Sequence, residues 1–222
     1  MKTKKIIIFG SSGHARSIAE ILEMLDYEIV GFIDSYLPKG QKVLNYRTIG
    51  NEKVLFDCEK NYGTNKVVIG VGDIQGRKKV VEKIREINPN IIFPSITSPK
   101  ATVSKHTIIG EGTIIFSNSF VNVKCVIGDF CIINTASIVK HNTEICDYCT
   151  ISPAVNIGGD VKIEKYSFIG SAATIIQKRN IGKHVVIGAG AVVTKNIPDN
   201  VLAVGMPAIV KKENYINNKL FQ

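Results

Sequence analysis

The sequence predicts two folds joined in one chain: a small α/β domain, then a parallel β-helix built on a six-residue repeat. Three observations carry this. Between Val103 and Val193 every sixth residue is Ile or Val, sixteen positions without a failure: 103, 109, 115, 121, 127, 133, 139, 145, 151, 157, 163, 169, 175, 181, 187 and 193. The residue four places after each is small or β-branched, from Thr107 through Cys125, Ser137 and Cys149 to Ala191, with Arg179 the one exception. Upstream of this comb, short apolar runs alternate with segments of helical spacing, the order of an α/β unit.

A helical period drifts off a six-residue comb within two turns, so the repeat is neither an α-helix nor a coiled coil. A fixed hexad is the mark of a parallel β-helix, in which each hexad is one short strand plus a turn and three hexads close one coil. The aliphatic residue points inward and stacks on its equivalent about 4.8 Å along the axis. The small residue beside it fits the corner. Sixteen hexads make about five coils, with ends that need caps.

Taken in order, Lys4–Phe9 reads as a buried strand. Gly10-Ser-Ser-Gly13-His14 follows as a turn, and residues 15–25 as a helix, with Ile18, Ile21, Leu22 and Leu25 on one face. Strand, glycine-rich turn and helix open a nucleotide-binding α/β unit of Rossmann-like form, where helix N–H groups face an anion. The next strand, Glu28–Ile33, ends at Asp34, where a dinucleotide fold would hold a ribose hydroxyl. Gly10 and Gly13 alone do not make G-x-G-x-x-G, so NAD binding is poorly supported. A short helix is expected over Glu52–Glu59, a strand over Lys66–Val71, then Gly72-Asp73, a basic helix over Gln75–Ile87 and a fourth strand over Asn90–Phe93. Pro94 and Pro99 punctuate the change to hexads. The domains are therefore 1–95, the β-helix 96–208, and a polar tail 209–222 placed to cap the last coil.

Composition excludes several classes. No apolar run approaches the roughly 18 residues of a membrane span. The apolar stretch at the start stops at Phe9, short of the roughly 7 to 15 residues of a signal-peptide core, so the chain is expected in the cytoplasm. Five cysteines read as free thiols. Cys125, Cys131 and Cys149 fill small inward positions, and Cys58 and Cys146 have no metal or redox spacing. A net charge of +9 comes without aromatic interleaving or a nucleic-acid motif, so no nucleic-acid partner is expected. A basic surface suits phosphate-bearing small molecules.

His141 stands at a turn two residues after the inward Val139, facing outward, within Asn134-Thr135-Ala-Ser-Ile-Val139-Lys-His141. An opening Gly-x-Ser-Gly-His, followed by hexads carrying Asn-Thr-x-x-x-Val-x-His, resembles the sugar O- and N-acetyltransferases of the sialic acid O-acetyltransferase (NeuD) and PglD-like group. The likeness covers essentially the whole chain. It implies a left-handed β-helix, a homotrimer with active sites between neighbouring β-helices, and acetyl transfer from acetyl-CoA to a nucleotide-linked amino sugar. By the same likeness His141 is the general base, taking the amine proton during direct transfer, and Gly159 supplies an oxyanion N–H. Gly10, Ser12, Gly13, His14, Asp34, Gly72, Asp73 and Asn134 match positions that hold the nucleotide sugar. Thr150, Gly159, Ser171, Gly188, Ala189 and Gly190 lie toward acetyl-CoA, with Lys178, Arg179, Lys183 and Lys195 as candidates for its phosphates. No metal is implied.

Two positions depart from the family. Relatives follow the histidine with Glu or Asp where this chain has Asn142, which orients the ring without charge to stabilise an imidazolium. Relatives place a histidine where this chain has Thr150. The nucleotide-like first domain tilts the acceptor toward a UDP-linked 4-amino-4,6-dideoxy sugar. Three rivals remain: O-acetylation of a sialic acid, a non-catalytic sugar-nucleotide sensor, and a metalloenzyme of the γ-carbonic anhydrase kind. The last needs three histidines on a metal, yet His106 and His141 fall in different columns of the comb and position 146 is Cys.

Overall fold

A computed structural model describes residues 4–213 and divides into two compact units, Met1–Ser98 and Pro99–Gln222. In the first, β1 (Lys4–Phe9), α1 (Gly13–Met24), β2 (Tyr27–Ile33), β3 (Lys42–Val43), β4 (Tyr46–Gly50), α2 (Cys58–Tyr62), β5 (Val67–Ile69) and α3 (Ile74–Ile87) build one sheet in the order β3-β4-β2-β1-β5. The strands β4, β2, β1 and β5 run parallel, and β3 turns back antiparallel on β4. Ile6, Ile7 and Ile8 of the central strand are fully buried, as a strand flanked on both sides by parallel neighbours requires. Helix α1 lays Ala15, Ile18, Ala19, Ile21 and Leu22 against β1 and β2.

Three elements differ from expectation. The helix expected over Glu52–Glu59 is a 3-10 turn over Glu52–Leu55, capped by the Asn51 side chain, and then α2, which Gly63 ends in the left-handed region at φ 71°. The strand expected over Asn90–Phe93 shrinks to one bridge, Lys66 to Ile92. The Asn88 side chain accepts from the Asn90 N–H and donates to the Leu55 carbonyl, pinning a turn there, and Pro94 has no N–H to extend a ladder. The hairpin of β3 and β4 was not expected, because its strands are too short to show a period.

The second unit is a left-handed β-helix. Its two-residue strands stack in three parallel columns, each strand in register with the one eighteen residues on. Thus Val121 pairs with Val139, Ile127 with Ile145, and Ile133 with Ile151; these are called the first, second and third columns. The comb forms the core, and every comb residue from Ile115 to Val193 is buried. Val103 and Ile109, in the first coil, are only partly so.

The small residues do more than fit the corner. Thr107, Thr113, Ser119, Cys125, Cys131, Thr143, Cys149 and Ser167 each donate to the carbonyl fifteen residues ahead, at 2.7–3.2 Å. These bonds give the corner carbonyls a donor from within the coil, a role that only a hydroxyl or thiol among small side chains can fill. At each corner from Gly112 to Gly190, every sixth residue adopts a left-handed φ of 52° to 67°, although most are not glycine. The comb ends where the period breaks: Ile181 meets Ile197 and Ile187 meets Ala203, sixteen residues on rather than eighteen. Leu202–Val204 then pairs antiparallel with Ile209–Lys212, which opens the segment expected as a tail; residues 214–222 lie outside the described residues.

Ile157 is fully buried among its column neighbours while Asn156, beside it, faces solvent. Ile157→Ala should lower stability by about 2–5 kcal/mol through a lost contact and a cavity. Asn156→Ala should stay within about 0.5 kcal/mol. Urea midpoints followed by circular dichroism separate the two.

Candidate active site

The corner between the first and second columns carries one turn per coil, and the eighteen-residue register stacks these turns. His141 leaves the strand Ile138–Val139 and lies directly over Gly159 of the next coil. A Cβ on Gly159 would fall 2.5 Å from His141 Cε1 and 2.7 Å from Nε2, closer than atoms pack, so only glycine leaves room for the ring. The Gly159 carbonyl accepts from the Lys178 N–H at 2.9 Å. Among the described residues its own N–H has no hydrogen-bond partner.

Beside the ring, Asn142 adopts φ 57°, a conformation that Asn tolerates better than most residues. Its Nδ2 donates to Asp160 Oδ1 at 2.9 Å and lies 3.3 Å from His141 Nδ1. Asp160 was not foreseen from the sequence. The repeat itself could have found it, since it sits one coil beneath Asn142. His106 falls on this same corner two coils earlier, in the place of Asn142 rather than of His141, so the two histidines are not brought together.

The other β-helix candidates fall elsewhere. Asn134 caps the corner between the third and first columns, accepting from Thr135 N–H at 2.8 Å through Oδ1 and from Ser119 Oγ at 2.8 Å through its carbonyl. Ser171, Gly188, Ala189 and Gly190 follow on that corner in later coils, where the Gly190 N–H donates to the Ser171 carbonyl at 2.8 Å. Ser171, Ala189 and Gly190 are exposed. Thr150 sits in a third-column strand, between Ile132 and Phe168, and is 6% exposed. Within one chain, then, the candidates form two stacks on different corners, with the first column between them.

In the first unit the strand order reverses beside β1, which has β2 on one side and β5 on the other. Ligands of open α/β sheets bind in the crevice at such a switch. Both strands end on glycine here. A Cβ on Gly70 would lie 2.4 Å from Ala15 Cβ, and Gly10, at φ 97°, would place one 3.0 Å from the Gly70 carbonyl oxygen. His14, in the first turn of α1, lies beside Gly72. Beneath them Arg77, 1% exposed, donates to the Val71 and Gly72 carbonyls at 3.2 and 2.8 Å. Burial, and then the Arg77 charge, push His14 down from 6.5 to about 4, so at neutral pH its ring is uncharged.

Two acids hold the same loops. Asp34 accepts from Ser11 Oγ and from the Tyr36 and Leu37 N–H groups. Partial burial works to raise it, but these donors win and hold it below its ordinary value. Asp73 caps α3, accepting from Gly76 N–H at 2.6 Å. Ser12 is the N-cap residue of α1 and makes no side-chain cap bond, which leaves its hydroxyl available. Among the described residues no group of His, Cys, Asp and Glu is placed to hold a metal, and no helix is long and apolar enough to cross a membrane.

Residues 5–84 match the PglD N-terminal domain family. The chain is similar to the acetyltransferase domain of PglB from Neisseria gonorrhoeae FA1090, at 30% identity and TM-score 0.85, covering 94% of this chain and 100% of that one. It belongs to the PglD and NeuD type of sugar acetyltransferases. Perosamine N-acetyltransferase from Caulobacter crescentus, in a histidine-to-asparagine variant complexed with CoA and GDP-perosamine, is similar at 28% identity and TM-score 0.88, over 94% of this chain and 97% of that. WeeI from Acinetobacter baumannii AYE is similar at 26% identity and TM-score 0.82, over 92% and 98%. No curated protein matches the sequence.

Gly159→Ala should displace the His141 ring and abolish most activity while leaving the melting temperature within a few degrees, read by a thiol-release assay and a thermal melt. For His14 the sign follows from a depressed value. Its contribution is fully present above 6.5 and is lost as pH falls toward about 4, because the unfolded chain takes up a proton that the folded ring refuses, about 3 kcal/mol in all. The wild type should therefore lose stability through that window more steeply than His14→Gln, in thermal melts across pH.

Proposed function

We propose that the enzyme transfers acetyl from acetyl-CoA to the amino group of a nucleotide-linked amino sugar, with a UDP-linked 4-amino-4,6-dideoxy sugar as the acceptor. The observation that carries this reading is the stack of His141 on Gly159. A ring able to take a proton lies against Gly159, whose backbone N–H has no hydrogen-bond partner among the described residues, and a base beside an N–H donor is the pair of functions acyl transfer needs. His141 removes the amine proton as nitrogen attacks the thioester carbonyl, and the Gly159 N–H receives the developing oxyanion. The new C–N bond replaces the C–S bond, and CoA departs as a thiolate that takes up a proton. Asn142 orients the ring.

The glycine turns at the switch point support a nucleotide site in the first unit, with Gly10, Ser12, Gly13, His14 and Gly72 facing the ligand. Asp34 and Asp73 shape its loops. The complex of the Caulobacter relative, which holds both CoA and GDP-perosamine, supports a nucleotide-linked amino sugar. We assign acetyl-CoA to the corner of Ser171, Gly188, Ala189 and Gly190. Since Asn134 and that corner lie apart from His141 within one chain, a complete site needs a neighbouring copy, as in a homotrimer.

Free CoA release tests this, with acetyl-CoA and UDP-4-amino-4,6-dideoxy-N-acetylglucosamine beside a GDP-linked 4-amino sugar and a sialic acid. Turnover on the UDP sugar should fall about 10²- to 10⁴-fold in His141→Ala. Turnover on the GDP sugar alone would replace the nucleotide. Turnover on sialic acid alone would overturn N-acetylation, and unchanged turnover in His141→Ala would overturn the base.

A further inference from the structure

Asp160 and Asn142 together decide which ring nitrogen of His141 carries the proton. A carboxylate accepts hydrogen bonds and donates none, so the amide atom that faces Asp160 Oδ1 at 2.9 Å is the Asn142 nitrogen and not its oxygen. That nitrogen carries two hydrogens. One goes to Asp160, and the other points to His141 Nδ1, 3.3 Å away. An N–H directed at Nδ1 requires a lone pair there, and the neutral ring then holds its proton on Nε2. An acid in the place of Asn142 would impose the reverse, because it would draw the proton to Nδ1 and leave the lone pair on Nε2.

We infer that Asp160 is a positioning residue that acts through the Asn142 amide, and that the proton-accepting atom of His141 is Nδ1. This rests on the reading of His141 as the group that takes the acceptor's amine proton. The Asn142 N–H occupies the place that the acceptor's N–H takes during reaction. At 3.3 Å its contact with the ring is long for a hydrogen bond and gives way when the substrate N–H arrives. The shorter bond to Asp160 keeps the amide from turning its oxygen toward the ring. As the C–N bond forms and the C–S bond breaks, the amine proton passes to Nδ1. The imidazolium then returns it to the departing CoA thiolate, giving the amide and free thiol.

All three side chains are exposed, so their substitution does not threaten the core. The test is a long-range proton–nitrogen spectrum of the full chain labelled with ¹⁵N-histidine, at a pH of about 8, where a histidine ring is neutral. His141→Ala identifies the signal among the four histidines. The wild type should show the Nε2–H form. Asp160→Asn, which no longer dictates the amide's orientation, should show both forms and lose about fivefold in kcat with KM for acetyl-CoA unchanged. Asn142→Asp should switch the ring to the Nδ1–H form and lower kcat about tenfold or more. A wild-type ring in the Nδ1–H form, or a faster Asn142→Asp enzyme, overturns the inference and leaves the base reading standing. Full turnover in His141→Ala removes the base reading, while the tautomer is still read from the wild-type spectrum.

Discussion

The parallel ladder that sets each coil of the second unit about 4.8 Å over the next controls both its stability and its chemistry. Because strands within the comb pair eighteen residues apart, a residue's neighbour along the axis is known there once its own place is known. Isoleucine stacks on isoleucine in the core, hydroxyls and thiols reach the carbonyls of the following coil, and His141 comes to rest on Gly159 by the same rule. The site is thus a by-product of core geometry. Its parts are as rigid as the columns that present them, and that rigidity suits the proposed roles of Gly159 as donor and His141 as base, which need placement to a fraction of an ångström.

Most of this unit was legible in the chain. The sixteen-fold comb could only close into coils, and His141 was found at an outward turn. What the linear sequence hides is vertical. The family likeness points to Gly159 for its N–H, whereas its missing side chain is what admits the His141 ring, and Asp160 lies eighteen residues beyond Asn142 with no local motif to join them. In sequence, the run of Thr, Ser and Cys at the small positions reads as a matter of size. Its hydrogen-bonding role shows only once the coil brings each side chain to the carbonyl fifteen residues ahead.

The first unit was less legible, because its elements are short and its loops are held by side chains of unlike sequence distance. Asn88 reaches back to Leu55, and this converts an expected strand into a turn. Arg77 read as one more cation on a basic helix, yet it is buried and ties down the Val71–Gly72 carbonyls beside His14. Burying a guanidinium is costly unless its donors are met, so its presence marks a loop whose shape matters. The glycines at the ends of β1 and β5 belong to the same arrangement, since any side chain on Gly70 would force the two loops apart.

The last strand among the described residues bears on behaviour at high concentration. A stack of parallel coils ends in a row of unpaired backbone groups, an open invitation to a second molecule and to fibre growth. Here the third column finishes with Ile209–Lys212 running antiparallel to the strand before it, so a parallel coil from another chain finds the wrong hydrogen-bond pattern. Lys211 and Lys212 add like charge at that edge. Among the described residues, the shortened final coil and its reversed strand thus close the third column with an edge that does not continue the parallel pattern.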